Sequence, residues 1–254
     1  MSALMRTELA TRLRALTPAR VGLGRTGVSQ QTSDLLDFQK CHALARDAVH
    51  ARLDTAGLAA ELRATTNAAV LRLHSAALDR AMYLQRPDLG RVLSTESSSL
   101  LAANDAKNFD LIIVVADGLS ALAVERHTAP LLRMLLPILD GWKLAPVCVV
   151  EQGRVAISDP IGEKFGAQLS VMLIGERPGL SSPDSLGAYI TWHPRPGRTD
   201  AERNCISNIR NGGLSYEAAA HQIAFLLREA RHQKLTGVGL KEQSHQLAED
   251  SKTC

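Results

Sequence analysis

Leu111-Ile112-Ile113-Val114-Val115 is an unbroken run of branched apolar residues, too short to span a membrane and without the alternation of a half-exposed element. Such a run reads as a strand buried on both faces. Two more follow it, at 146–151 and 169–174, and a fourth strand is expected at 188–192. Helix-like segments at 119–124, 128–140 and 160–165 lie between them, and a closing helix is expected over 216–229. Strands separated by helices pair in parallel, because each crossover must bring the chain back to the same end of the sheet. The expected fold class is α/β, with a Rossmann-like domain on a mainly parallel sheet.

Before residue 106 the pattern changes. Over 32–53 the apolar residues Leu35, Leu36, Phe38, Ala43, Leu44 and Val49 recur at helical spacing, and Thr32 or Ser33 is suited to cap the start. Segments 57–63, 68–77 and 88–104 are rich in Ala, Leu and Arg and poor in β-branched residues, which favours helix. Residues 1–105 are therefore expected to form a helical amino-terminal region ahead of a Rossmann-like domain over 106–232. From 233 to 254 the chain turns polar and loses any apolar period, as a loose tail would.

Composition removes several classes of function. Positive and negative side chains, 29 against 26, are interspersed rather than gathered into a basic stripe, so nucleic acid is not an expected partner. The stretches at 111–116 and 135–139 fall well short of the ~20 apolar residues a membrane helix needs. Residues 1–20 interleave arginines with leucines, so a secretory leader is not indicated. Cys41, Cys148, Cys205 and Cys254 lie far apart, as in a reduced cytoplasmic protein. The eight histidines show no ligand spacing, so no metal site is assigned, and the absence of a G-x-S-x-G and of a P-loop pattern removes two common enzyme classes.

Three segments carry polar groups where ligands bind in open sheets. Gly22-x-Gly24-x-x-Gly27 has the spacing of a dinucleotide loop, but Thr17-Pro18-Ala19-Arg20-Val21 precedes it instead of a strand, so a connector is the better reading. Asp117-Gly118-Leu119-Ser120 closes the first strand, where it either lines a crevice or caps the next helix. Glu176 and Arg177 end the third, as ligand contacts or as an exposed ion pair worth little. Cys205, taken alone, reads as a structural thiol.

Specific wording narrows these alternatives. Gly175-Glu176-Arg177-Pro178-Gly179-Leu180 is followed by Cys205-Ile206-Ser207-Asn208-Ile209. Ahead of them stand Val21 through Gly27, Tyr83-Leu84-Gln85-Arg86-Pro87-Asp88-Leu89-Gly90-Arg91, Ala116 through Ser120, Gly153-Arg154-Val155 and Asp159-Pro160-Ile161-Gly162-Glu163. In these blocks, from about residue 20 to 231, the chain resembles the small (light) subunit of ethanolamine ammonia-lyase. It departs from that family in lacking a longer amino-terminal extension, which bears on targeting, and in reading Val28-Ser29-Gln30-Gln31 where a basic, Pro-rich stretch is usual.

The resemblance implies a lyase that converts ethanolamine to acetaldehyde and ammonia by a radical mechanism, with adenosylcobalamin as cofactor. It implies a large-subunit partner within a hetero-oligomer, with catalytic residues on that partner and cobalamin at the interface. Residue by residue, it carries cofactor contacts onto Val155, Glu176 and Cys205. The implied location is cytoplasmic, with packaging in a bacterial microcompartment left open. The alternative from another class is a Rossmann-like nicotinamide-dependent oxidoreductase, which lacks its glycine fingerprint after 111–115.

Overall fold

The computed structural model describes residues 3–17 and 19–240. An amino-terminal helix α1 (Ala3–Leu16) leads to a minimal hairpin, β1 (Arg25–Thr26) and β2 (Ser29–Gln30), then α2 (Thr32–His50) and α3 (Thr55–Thr66). After β3 (Val70–His74) come the short helices α4 (Arg80–Gln85) and α5 (Thr95–Ala102). The chain continues as β4 (Leu111–Ala116), α6 (Ala121–Leu135), β5 (Val147–Glu151), α7 (Ser158–Lys164) and β6 (Leu169–Gly175). It closes with β7 (Leu186–Trp192), β8 (Arg203–Ile209) and α8 (Tyr216–Gln233).

Six strands form one sheet in the order β3-β5-β4-β6-β7-β8. The pairings β3–β5, β5–β4 and β4–β6 are parallel, and β6–β7 and β7–β8 are antiparallel. The fold is mixed α/β with a mainly parallel sheet. Every residue of β4 is buried, as its unbroken apolar run requires, and alternate residues serve two cores. Leu111, Ile113 and Val115 pack with α3, α6 and α8, while Ile112, Val114 and Ala116 face the layer of α5 and α7.

Four expectations are corrected. Segment 68–77 does not form a helix: Val70–His74 is the edge strand β3, since pairing with β5 and burial of Val70 and Leu73 outweigh five residues' weak helical preference. Segment 88–104 is interrupted by a 3-10 turn at Leu89–Arg91 before α5 starts at Thr95, where Ser94 caps it. The helices expected at 119–124 and 128–140 are one helix, α6, running through Pro130 into a 3-10 turn at Leu136–Leu139. Arg203–Ile209, given no element, is a strand whose exposed polar positions mark it as an edge.

Residues at the start of the expected polar tail are packed. The Thr236 hydroxyl accepts from the Trp192 N–H at 2.9 Å, and Leu240 joins the larger core. Positions 241–254 of that tail, with Cys254, lie outside the described residues. No helix among the described residues is long and apolar enough to cross a membrane.

Candidate functional site

The connection leaving β4 turns to one face of the sheet, toward α6, and the connection leaving the adjacent β5 turns to the other, toward α7. Diverging connections open a crevice at the carboxyl ends of parallel strands. Its wall is set by two glycines in backbone contact. Gly118 has φ +54°, the Leu119 N–H donates to the Gly175 carbonyl at 2.9 Å, and a Cβ on either glycine would overlap backbone of the other segment. Ser120 resolves its own reading, since its hydroxyl accepts from the Ala123 N–H as helix cap and donates to the Pro183 carbonyl at 2.9 Å.

Asp117 does not face the crevice as a free carboxylate. Only 2 % exposed, it accepts from the Gly153 N–H at 3.2 Å and from Arg80 at 3.4 Å, joining the β4 and β5 loops from below. Burial raises its carboxyl to about 6, against the pull of Arg80 and of backbone N–H groups. Arg80 also reaches the Gly118 carbonyl at 2.9 Å and the Gln152 side chain at 3.2 Å. Tyr83, fully buried, carries the guanidinium groups of Arg80 and Arg154 over its ring at 4.8 and 4.2 Å, and its hydroxyl donates to the Gly153 carbonyl. Burial pushes that phenol well above its ordinary range, so it stays a donor. This cluster holds Gly153-Arg154-Val155 in place.

Val155 and Glu176 line the same cavity, of about 450 Å³, together with Leu119, Arg154, Arg177 and Tyr189. Val155 is half-buried in a 3-10 turn at Val155–Ile157, with its carbonyl accepting from the Ser158 hydroxyl at 2.9 Å. A larger cavity, of about 810 Å³, opens on its other side. Glu176 does not form an ion pair with Arg177. Its carboxylate accepts from the Ser185 hydroxyl and from the Asn208 N–H, the latter at 3.1 Å.

Cys205 is exposed on β8, directly across from Tyr189 on β7. Residues opposed in register share a face of the sheet, and here it is the face turned away from α6 and α8. Crowding around the sulfur and the charge of Glu176 push the thiol pKa upward, against a hydrogen bond with Tyr189. Nothing in this surrounding activates the Cys205 thiol as a nucleophile. Tyr189 thus joins Cys205 to the cavity that Val155 and Glu176 line. Neither Tyr189 nor Ser185 is singled out by sequence, because the register that sets Tyr189 on β7 across from Cys205 on β8 is not written in either segment alone.

Gly22, Gly24 and Gly27 lie in and before the β1–β2 hairpin, with no strand leading into them and no helix starting at the last. The nucleotide-loop reading fails there, and the nicotinamide oxidoreductase is not favoured. Among the described residues, no group of three or more His, Cys, Asp or Glu gathers as a metal site.

A family model described as ethanolamine ammonia-lyase light chain (EutC) matches residues 7–241. The chain belongs to the ethanolamine ammonia-lyase light-chain family. It is 56 % identical over 244 residues to an ethanolamine ammonia-lyase small subunit of Pseudomonas fluorescens, covering 94 % of this chain and 89 % of that one. A Pseudomonas aeruginosa small subunit is 58 % identical over 243 residues, with the same coverage of both chains. One from Pseudomonas putida is 57 % identical over 237 residues, covering 91 % of this chain and 87 % of the relative.

Proposed function

We propose that this chain is the small subunit of an adenosylcobalamin-dependent ethanolamine ammonia-lyase, which forms acetaldehyde and ammonia from ethanolamine and works only with its large subunit. The observation that carries the reading is the gathering of Val155, Glu176 and Tyr189 around one open cavity, with Cys205 beside Tyr189, in a chain of this family. The donor set fits a corrin. That macrocycle has a broad apolar face and a rim of amide side chains, so it needs apolar surface from below and fixed acceptors at the edge. Val155 and Tyr189 provide the surface, and Glu176 provides an acceptor in which the Oε1 oxygen carries no hydrogen bond within the described residues. The group supplies, when bound, the radical that takes hydrogen from ethanolamine.

This chain's part in that chemistry is to bind and to exclude. Rigid loop ends locked by Gly118, Gly175 and the Arg80–Tyr83–Arg154 cluster hold the contact residues in place. No residue here is placed in the proton or hydrogen transfers, which belong to the large subunit in this reading. The assembly is a hetero-oligomer in the cytoplasm, or within a microcompartment there. The test is co-expression with the large subunit and measurement of acetaldehyde from ethanolamine. Activity is expected only with both chains and adenosylcobalamin present; deamination by the large subunit alone at the same rate would overturn the reading.

A further inference from the structure

The Glu176 carboxylate sits in a fitted seat. Its Oε2 oxygen takes both hydrogen bonds, from the Ser185 hydroxyl and from the Asn208 N–H at 3.1 Å. Below it lies Gly187, where an added Cβ would come within 2.9 Å of Oε1 and 3.1 Å of Cγ, so the carboxylate rests on bare backbone. The seat is itself fixed. The Glu176 N–H donates to the Ser185 carbonyl at 2.9 Å, which closes the loop between β6 and β7. Asn208 has φ +63°, its carbonyl accepts from the Leu214 N–H at 2.7 Å and its side chain accepts from Arg210 at 2.8 Å. Ser185 is 5 % exposed and is not in the wall of either cavity.

Consuming Oε2 inside the protein has a directional result. A free glutamate would present two equivalent oxygens over a range of side-chain rotamers. Here one oxygen is tied back to the loop before β7 and to β8, and Oε1 alone is left to accept from a ligand. We propose that Ser185 is a positioning residue for the cofactor: through its hydroxyl, with Gly187 beneath and the Asn208 N–H beside, it aims Glu176 at a donor on the corrin rim. This rests on the reading that Glu176 contacts cobalamin.

The experiment is a double-mutant cycle in the two-subunit complex, read as the Kd for cyanocobalamin by equilibrium dialysis. Losing a hydrogen bond to a charged group is expected to weaken binding by about tenfold in Ser185→Ala. In a Glu176→Ala background, the same replacement is expected to change Kd less than about twofold, because a residue acting through Glu176 has nothing left to aim. Gly187→Ala, which must displace the carboxylate, is expected to match or exceed the loss in Ser185→Ala and to be equally silent without Glu176. An equal loss from Ser185→Ala in both backgrounds, or none in either while Glu176→Ala alone weakens binding, would overturn the positioning role only. A Kd unchanged in Glu176→Ala alone would overturn the assignment of Glu176 and the positioning role with it.

Discussion

Both carboxylate oxygens of Asp159, on α7, accept from the guanidinium of Arg203, on β8, at 2.8 and 2.6 Å, with side chains only 2 % and 1 % exposed. The pair ties the helix that follows Val155 to the strand that carries Cys205. Arg203 also donates to the Thr191 hydroxyl at 2.9 Å and to the Arg198 carbonyl at 3.1 Å. Burial outweighs the pull of Arg203 and raises the Asp159 pKa, so the pair contributes fixed geometry more than net stability. Asp159→Ala or Arg203→Ala alone should lower unfolding stability by about 3–5 kcal/mol, because each leaves a buried charge without its partner. Replacing both by apolar residues of similar volume should cost less than either single change, as read from urea unfolding. Simple additivity of the two single changes would contradict this.

At the crevice wall the prediction is steric. A Cβ on Gly175 would overlap the carbonyls of Asp117 and Ser120, so the β4 loop and the end of β6 cannot both keep their places. Gly175→Ala should destabilise the chain by about 1–3 kcal/mol, the usual range for overpacking a close-fitted interior. Gly141, whose Cβ would meet nothing within 4 Å, is the control, although its φ of +79° still strains an alanine. Gly175→Ala should also displace Glu176, the next residue, and so weaken cyanocobalamin binding by the two-subunit complex. Gly141→Ala should leave that binding unchanged.

Acid should act on two buried groups in opposite senses. His127, 2 % exposed, has its Nδ1 2.9 Å from the Tyr216 hydroxyl, with Asp184 and Arg126 as its charged neighbours. Burial lowers its pKa despite the attraction of Asp184. The folded form therefore binds a proton less readily than the unfolded form, and stability falls as pH drops through 6.5. Asp117 is the reverse: raised from 3.8 to about 6, it holds its proton more tightly when folded, so its contribution grows as pH falls from about 6 toward 3.8. On acidification from pH 7 to pH 5, urea midpoints of His127→Gln should fall less, or rise more, than those of the unmodified chain. Those of Asp117→Asn should lose the gain on acidification below pH 6. Parallel pH curves for all three proteins would contradict the assignment.

Burial made half of this fold readable in advance. Strands β4, β5 and β6 are almost wholly apolar, broken only by Ser170 and by Glu151 at a strand end, because helices cover both of their faces. Strand β3 was hidden because Val70-Leu71-Arg72-Leu73-His74 alternates weakly and uses residues that also suit a helix; only its pairing with β5 decides. Strand β8 was hidden because an edge leaves Cys205, Ser207 and Asn208 exposed, and nothing in their chemistry requires a strand. The site followed the same division. Glu176 stands out at a strand end, whereas Ser185 and Tyr189 matter only through a loop closure and a cross-strand register that local sequence does not encode. Asp117, open between a crevice group and a helix cap in the sequence, is a buried brace between two loops.

The central claim is that the corrin lies on the crevice formed by this chain and is closed over by another. The most direct measurement is the three-dimensional structure of the two-subunit complex with cyanocobalamin bound. The expected result places the corrin within about 4 Å of Val155, Glu176 and Cys205 together, with Glu176 Oε1 accepting from a rim amide. A corrin bound wholly by the large subunit, with these three side chains facing water, would contradict it.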